Sequence, residues 1–213
     1  MALPDDLQLH GRLPARHQRH AGHPGGLGGH RRAARLSGPT ATARRPLRLV
    51  IRTDGAARGN PGPASCGAVL IDADRPDALD PAAPPLVVIA RALGVRTNNV
   101  AEYVGLVLAL RAAQRLGAVE VDLRLDSKLI VEQLNGRWRV KDLKLRRLFD
   151  EAATTLAGFQ RWRATHEPRA RNHAADALAN LALDDPAAAA RVMAEVAARS
   201  GLAVSLDEAT GGA

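Results

Sequence analysis

Four acidic residues lie at the ends of elements that the sequence predicts. Asp54 and Asp126 each follow a short apolar run, Glu102 lies in the first turn of a predicted helix, and Asp176 lies early in another helix. Each of them alone is typical of a turn residue. Gathered in one place they would repel one another unless cations lay between them, and hard divalent ions such as Mg²⁺ and Mn²⁺ prefer oxygen ligands. Two such ions about 4 Å apart promote phosphodiester displacement, so convergence of the four acids would predict that chemistry.

The elements that would bring these acids together form a mixed α/β pattern. Apolar runs at 47–53, 65–72 and 86–94 predict three strands with hairpin-type links, which is typical of an antiparallel meander. If the next strand lies beside the first and parallel to it, Asp54 and Asp126 meet at one edge of the sheet, where open α/β sheets bind ligands. The further predicted elements are a helix at 99–116, a strand at 119–125, helices at 127–134 and 140–157, a strand at 159–165 and a helix at 172–183.

Composition divides the chain into three segments. Residues 1–46 are rich in Gly, Pro and His, contain no aromatic residue and show no sustained apolar periodicity, so we expect a disordered basic leader. Residues 47–185 carry the predicted α/β domain. Residues 186–213 begin with an Ala-rich stretch that predicts one more helix, followed by a tail.

The net charge of +8 is concentrated near the N-terminus. Residues 1–46 hold eight arginines and two aspartates, a balance of +6, which leaves +2 for the other 167 residues. A positive total alone therefore does not establish a nucleic-acid partner for the predicted domain. The single cysteine, Cys66, excludes a disulfide framework, and no apolar stretch is long enough to span a bilayer, so we expect a cytoplasmic protein that binds no membrane.

Polar motifs surround the four acids. They are Thr53-Asp54-Gly55-Ala56, the turn Gly59-Asn60-Pro61-Gly62-Pro63, the run TNNVAEY from Thr97 to Tyr103, Asp126-Ser127, Gln133-Leu134-Asn135-Gly136 with Trp138, and the pattern Asn172-x-x-Ala175-Asp176-x-Leu178-Ala179. In this order and spacing they resemble the type 1 ribonuclease H family over residues 47–184, in a compact form without the basic protrusion of some relatives. The resemblance implies a ribonuclease H-like α/β fold, in which helices flank a five-stranded mixed sheet of strand order 3-2-1-4-5. It also implies an endoribonuclease that hydrolyses the RNA strand of RNA/DNA hybrids and leaves 5′-phosphate and 3′-hydroxyl ends.

The resemblance also implies roles for individual residues. It makes Asp54 a ligand shared by two Mg²⁺ ions, with Mn²⁺ as the alternative metal, and it completes the metal-binding set with Glu102, Asp126 and Asp176. At the position of His166 the family carries a histidine that assists turnover or product release, whereas a histidine at a strand end can also serve only as a hydrogen-bonding partner. These five residues are the candidate catalytic residues.

Candidate substrate-binding residues belong to two groups. By resemblance, Asn60 and the run Thr97, Asn98 and Asn99 contact the nucleic-acid backbone, including the 2′-hydroxyl groups that distinguish RNA from DNA, although turn formation and helix capping would also account for them. The second group lies in the basic segment 137–147. Its cations could neutralise phosphates, or they could form the solvated face of an amphipathic helix. The candidates in this segment are Arg137, Arg139 and Lys141.

Three functions are compatible with these residues. Hydrolysis of RNA/DNA hybrids is the leading hypothesis, and hydrolysis of double-stranded RNA on the same fold is the alternative. A non-catalytic nucleic-acid-binding module is the third, but such a module has little need of four mutually repelling carboxylates. No obligate protein partner is indicated. The loop at 73–85, between two predicted strands, is interpreted as a tolerated surface insertion.

Overall fold

The structure is a computed structural model that describes residues 45–202 of the 213-residue chain. The predicted disordered leader, except for its last two residues, and the tail beyond residue 202 lie outside the described residues. Within the described range, no helix combines the length and the apolar character that crossing a membrane would require.

One mixed sheet contains five strands, which are β1 (Leu47–Ala57), β2 (Gly62–Asp72), β3 (Val87–Arg96), β4 (Ala118–Leu125) and β5 (Arg161–His166). Their order is β3-β2-β1-β4-β5, which confirms the predicted sheet. β1 pairs antiparallel with β2 and parallel with β4, and β4 pairs parallel with β5. The carboxyl ends of β1, β4 and β5 therefore lie at the same edge of the sheet.

Helices cover both faces of the sheet. The described residues form α1 (Asn98–Arg115), α2 (Lys128–Leu134), α3 (Leu143–Ala157), α4 (His173–Asp184) and α5 (Pro186–Ser200), with a 3₁₀ turn at Arg169–Arg171 before α4. α1 and α3 pack in one apolar core with the sheet, whereas α4 and α5 pack on the opposite face over β1, β2 and β3.

Alternating side chains of β1 enter the two cores. Leu49 and Ile51 contact the core of α1 and α3, and Val50 contacts the core of α4 and α5. Arg52 and Asp54 continue the row of Val50, since side chains two residues apart on a strand share a face. Polar groups therefore follow an apolar row on the face that α4 covers, and this arrangement presents Asp54 toward α4.

Two glycines allow α1 and α4 to approach the sheet closely. A Cβ atom on Gly55 would lie 2.3 Å from the backbone nitrogen of Glu102, and one on Gly67 would lie 2.2 Å from the carbonyl oxygen of Ala175. Both obstacles are helix backbone, which cannot move aside as a flexible side chain would. Glycine at these positions therefore determines how near Glu102 comes to β1 and how near the first turn of α4 comes to β2.

β1 is longer than the sequence predicts. The strand continues past Asp54 to Ala57, because β2 provides a pairing partner for every residue as far as Ala57, which lies opposite Ala64. Asp54 therefore lies within the strand rather than at its end.

Two helix starts also differ from prediction. α1 begins at Asn98, so Glu102 lies in its second turn and not in its first. α3 begins at Leu143 rather than at residue 140, because the side chain of Asp142 accepts hydrogen bonds from two backbone N–H groups of the first turn and caps the helix there.

The loop at 73–85 packs against the domain. Ala78 and Ala83 are buried in the core of α4 and α5. The carbonyl oxygen of Leu79 accepts hydrogen bonds from the guanidinium groups of Arg52 and Arg171, each at 3.0 Å. The interpretation as a surface insertion is correct for the position of the loop between β2 and β3, but wrong for its packing.

Candidate active site

A cleft of about 440 Å³ lies where β1 and β4 end. All four acids that the sequence singles out line it, although the first and the last are far apart in the chain. The polar side chains of the lining are Asp54, Asn98, Glu102, Asp126, Arg169, Asp176 and Asn180. The four acids therefore converge, as the expected chemistry requires.

Each acid comes from a different element. Asp54 lies in β1, and Asp126 follows the last residue of β4, the parallel neighbour of β1. Glu102 projects from α1 on one face of the sheet, and Asp176 lies in the first turn of α4 on the other. A helix N-terminus carries partial positive charge, so the position of Asp176 also favours its carboxylate.

Side-chain donors hold three of the carboxylates, while Asp54 accepts a hydrogen bond from the backbone N–H of Gly55 at 2.9 Å. Glu102 accepts hydrogen bonds from the side-chain amide of Asn98 at 2.9 Å and from the hydroxyl of Ser127 at 2.6 Å. Asp126 accepts one from the side-chain amide of Asn172 at 2.8 Å, and Asn172 also donates to the carbonyl oxygen of Thr53 at 3.0 Å. Asn172, which is 1% exposed, thus joins the interior of β1 and the residue after β4 to the start of α4.

The third of these carboxylates, Asp176, has a cationic partner. The Arg169 guanidinium donates to its carboxylate at 2.7 Å, and the side-chain amide of Asn180, one helical turn further along α4, donates to it at 3.2 Å. The side chain of Arg169 is 79% exposed, so this guanidinium lies at the mouth of the cleft and not within the fold.

Asp54 is the most buried of the four acids, with 7% of its surface exposed. Burial, the negative charge of Asp126 and a hydrogen bond with Asp176 raise the pKa of Asp54 from 3.8 to about 7. Burial also raises the pKa of Glu102 and of Asp126, against the opposing effect of their hydrogen-bond donors. The cleft therefore contains more negative charge than its own cations neutralise.

The chemistry of this donor set fits Mg²⁺ or Mn²⁺. Every candidate ligand is a carboxylate oxygen, as these hard ions prefer. Burial, and after it repulsion between the acids, raises the pKa of Asp54, Glu102 and Asp126, so a cation between them would stabilise their charged forms. In the described part of the chain, no three His, Cys, Asp or Glu side chains are spaced so that they form a complete metal site as they stand. The carboxylates instead point to the hydrogen-bond donors named above, and metal binding would require them to exchange these partners.

His166 lies beside the cleft but does not line it. The side chain is exposed at the end of β5, and its Nε2 atom lies 3.1 Å from the carbonyl oxygen of Asp126. The contact agrees with the hydrogen-bonding role that a strand-end histidine can have, and it also places the imidazole next to a candidate metal ligand.

The asparagine and threonine candidates lie on the rim formed by α1 and the preceding turn. Thr97 caps α1 by accepting a hydrogen bond from the backbone N–H of Val100 at 3.4 Å, and the side chain of Asn60 accepts one from the backbone N–H of Asn98 at 3.2 Å. Thr97 and Asn60 thus have the structural roles, helix capping and turn formation, that were the alternative to substrate binding. Asn98 lines the cleft, while Asn99 is exposed beside it.

The basic candidates lie outside the cleft. Arg137, Arg139 and Lys141 are exposed in the connection between α2 and α3, and Arg137 is paired with Glu132. Because α3 begins only at Leu143, these three residues do not form one face of a helix as the alternative supposed.

Sequence reasoning missed two residues of the cleft. Asn180 follows Asp176 by four residues, so helical spacing could have indicated the contact. Arg169 lies in the 3₁₀ turn before α4, where the sequence shows no periodicity. Nothing in its local sequence indicates that its side chain contacts Asp176 of α4.

The chain shares this architecture with proteins of known sequence and structure. A family model described as reverse transcriptase-like matches residues 52–182. A protein of Halobacterium salinarum named ribonuclease HI is 46% identical over 135 residues, which are 62% of this chain and 62% of that protein. The chain belongs to the type 1 ribonuclease H family.

Another ribonuclease H relative is longer than this chain. A bifunctional protein of Mycobacterium tuberculosis is 44% identical over 151 residues, which are 71% of this chain but 40% of that protein. The N-terminal ribonuclease H domain of the same protein, solved as a fusion with maltose-binding protein, superimposes with a TM-score of 0.60 at 46% identity, and the match covers 65% of this chain and all of that chain. The chain thus spans less than two thirds of the full length of the Halobacterium and Mycobacterium proteins.

A third ribonuclease H was solved with nucleic acid. LC11-RNase H1, in complex with an RNA/DNA hybrid, superimposes with a TM-score of 0.58 at 37% identity, covering 65% of this chain and 98% of that one.

Proposed function

We propose that this chain is a metal-dependent endoribonuclease that hydrolyses the RNA strand of RNA/DNA hybrids and leaves 5′-phosphate and 3′-hydroxyl ends. The convergence of four carboxylates from β1, α1, β4 and α4 in one polar cleft carries the proposal. Its relatives named ribonuclease H and the structural neighbour that holds a hybrid support the choice of substrate.

Asp54, Glu102, Asp126 and Asp176 would hold two Mg²⁺ ions, with Mn²⁺ as the alternative. Ions bound there would supply a lowered pKa for an attacking water and stabilisation of the charge on the leaving oxygen. Asp54 is suited to a shared position, because its carboxyl interacts with both Asp126 and Asp176. Its burial and position within a strand also restrict its movement, and catalysis by positioned groups requires such restriction.

The residues around the acids supply orientation and substrate contacts. Asn98 and Ser127 orient Glu102, and Asn172 orients Asp126. Arg169 neutralises Asp176, and its largely exposed guanidinium can contact a phosphate oxygen at the mouth of the cleft. His166 would assist turnover next to Asp126.

Substrate recognition is proposed on two surfaces. The rim residues Asn60, Thr97, Asn98 and Asn99 would contact the backbone of the RNA strand, where 2′-hydroxyl groups are available as donors and acceptors. Arg137, Arg139 and Lys141 would neutralise phosphates further along the duplex without reading its sequence.

Cleavage assays with matched variants test the proposed function. Purified full-length chain with Mg²⁺ should cleave an end-labelled RNA/DNA hybrid, and Asp54→Asn should lower the rate at least about 100-fold, since it removes a ligand from the transition state. Asp150→Asn is the control, because Asp150 is an exposed aspartate on α3 outside the cleft. Equal rates for wild type and Asp54→Asn would contradict the proposal.

The same assay separates the alternatives. Double-stranded RNA of identical sequence, assayed at the same salt concentration, would be cleaved faster than the hybrid if double-stranded RNA were the substrate. Binding of either duplex without any cleavage would support the non-catalytic module. Analysis of the product ends by phosphatase and ligase treatment checks the expected 5′-phosphate and 3′-hydroxyl.

A further inference from the structure

A charged pair is buried directly behind the cleft. Arg52 precedes Asp54 by two residues on β1 and is 0% exposed, and its guanidinium donates to the carboxylate of Glu167 and to the carbonyl oxygen of Leu79. Glu167 is 8% exposed and follows His166 at the end of β5. The pair joins β1 to a segment 115 residues further along the chain.

Glu167 is held from several sides. Its carboxylate also accepts a hydrogen bond from Arg124 of β4 at 3.0 Å and lies 3.7 Å from the guanidinium of Arg171. Its backbone N–H donates to the carbonyl oxygen of Leu125, the last residue of β4, at 2.8 Å. This residue therefore fixes the point at which the chain leaves β5.

The segment that starts at this point supplies three of the contacts made to the cleft acids. Within 166–172, His166 contacts the carbonyl oxygen of Asp126, Arg169 donates to the carboxylate of Asp176, and Asn172 donates to the carboxylate of Asp126. Between the end of β5 at His166 and the start of α4 at His173 the chain forms only a 3₁₀ turn, so the placement of Arg169 and Asn172, and of His166 at the strand end, depends on how firmly Glu167 is held.

A stabilising role alone does not account for a buried ion pair. Removing a guanidinium and a carboxylate from water costs about as much as their attraction returns, and two apolar side chains of similar volume often stabilise a fold as well or better. A directional network differs from an apolar contact in that it specifies one arrangement of the groups it joins. Arg52 forms such a network, because its guanidinium donates hydrogen bonds both to Glu167 and to the loop at 73–85.

We propose that Arg52 and Glu167 are positioning residues, which hold the segment 166–172 so that His166, Arg169 and Asn172 meet the cleft acids. The inference rests on the proposed nuclease function for its catalytic consequence. Neither residue lines the cleft, so both act through the segment and not on the substrate. The loop at 73–85 adds a third contact to this arrangement, because the carbonyl oxygen of Leu79 accepts a hydrogen bond from Arg52.

Two variants separate positioning from stability. Glu167→Gln keeps the shape and removes the charge, and we expect kcat on the hybrid to fall about tenfold while KM changes less than about twofold, because misplacement acts mainly on the reacting geometry. The double variant Arg52→Met/Glu167→Met replaces the ion pair with apolar side chains, and we expect it to retain the Tm of wild type but not its kcat.

A variant in the same network serves as control. Arg163→Gln removes a guanidinium that is 63% exposed and contacts Asp122 but not Glu167, so its kcat and KM should equal those of wild type. A double variant that retains both Tm and kcat would overturn the inference, as would a loss of kcat in Arg163→Gln equal to that in Glu167→Gln.

Amide hydrogen exchange tests the same inference without substrate. The backbone N–H groups of Arg171 and Asn172 are hydrogen-bonded within the turn, and they should exchange at least about tenfold faster in Glu167→Gln, whereas amides of α3 should not change. Unchanged exchange in the turn would overturn the inference. If the wild-type chain cleaves no hybrid, the proposed function is refuted but the positioning role is not. The exchange comparison would still decide whether Arg52 and Glu167 hold the segment 166–172.

Discussion

The four carboxylates of the cleft outnumber its cations. Among the described residues, Arg169 is the one Arg or Lys side chain that lines the cleft, and it is paired with Asp176. Burial, and after it the negative charge of Asp126 and the interaction with Asp176, raises the pKa of Asp54. A divalent cation that enters this site binds the native state and not the unfolded chain, so it must stabilise the fold.

Mg²⁺ should therefore raise the Tm of chelator-treated wild type in a concentration-dependent way. Asp54→Asn should reduce this rise, because it removes the ligand that interacts with both Asp126 and Asp176. Thermal unfolding across a Mg²⁺ titration measures the effect, and Asp150→Asn should respond like wild type. The same Mg²⁺ response in all three proteins would contradict the assignment of Asp54 as a ligand.

Asp122 should make the stability of the fold depend on pH in acid. Burial acts to raise its pKa, but hydrogen bonds from Arg163 at 2.5 Å and from Arg124 at 3.0 Å outweigh burial and lower the pKa below 3.8. A carboxyl whose pKa is lowered by folding stabilises the fold above its unfolded pKa, and that contribution is lost as the pH falls through the folded pKa.

Asp122→Asn should accordingly lower the free energy of unfolding at neutral pH. The difference from wild type should shrink below about pH 4, as the wild-type carboxyl becomes protonated. Urea unfolding at a series of pH values provides the measurement, with Asp150→Asn as an exposed aspartate for comparison. A difference that stays constant from neutral to strongly acidic pH would show that Asp122 acts through its shape and not its charge.

At the level of elements, close approach of helix to strand sets the width of the cleft. Gly67→Ala would place a methyl group against the backbone of α4, 2.2 Å from the carbonyl oxygen of Ala175 and 2.5 Å from the backbone nitrogen of Ala179. We expect a loss of about 1–3 kcal/mol in the free energy of unfolding, as for other overpacked cores. Nuclease activity should fall too, because Asp176 moves with the helix.

Gly158→Ala is the matched control for this substitution. Its new Cβ would lie 2.8 Å from the end of the flexible Gln114 side chain, which can move aside, and 3.3 Å from the carbonyl oxygen of Thr155, which is farther than either backbone contact at Gly67. Urea unfolding and hybrid cleavage are measured for both variants. Equal stability of Gly67→Ala and Gly158→Ala would contradict the claim that Gly67 is needed for the approach of α4.

The sequence predicts the elements and the acids for the same reason. Each strand and helix that carries an acid has a local apolar pattern, and each acid stands within a short motif, so both are readable from neighbouring residues. The length of a strand cannot be predicted from neighbouring residues in this way, since β1 continues to Ala57 only because β2 pairs with it. The roles of Arg52 and Glu167 could not be predicted either, because their contact joins residues 115 positions apart and the strand pattern around Arg52 does not indicate its partner.

Over the whole molecule, many charged side chains of the described residues pair with one another, although 23 Arg and Lys face 18 Asp and Glu there. Arginines on several elements contact carboxylates, among them Arg58 with Asp184, Arg163 with Asp122 and Arg146 with Asp150. Electrostatic attraction to a duplex would then come from exposed cations outside these pairs. Arg139 and Lys141 are exposed beside the partly exposed Trp138, so they are candidates for that role.

Arg139→Gln/Lys141→Gln should weaken hybrid binding and reduce its dependence on salt. Removing one phosphate contact lowers the slope of log K against log[salt] by about one, so the slope should fall by about two. Fluorescence anisotropy of a labelled hybrid over a salt series, with Ca²⁺ in place of Mg²⁺, measures it. Arg161→Gln/Arg191→Gln removes the same charge from exposed sites on β5 and α5, and an equal change in slope there would contradict a specific role for the basic segment.

The spread of the four acids along the chain has a consequence for synthesis. The ribosome synthesises Asp54 first and Asp176 last. Glu102, which lies in α1, and Asp126, which follows β4, come between them in the chain. A nascent chain that stops short of α4 lacks both Asp176 and the helix that closes one face of the sheet. Affinity for divalent cations should thus arise late, when the last helices dock, and no earlier fragment would carry a nuclease centre.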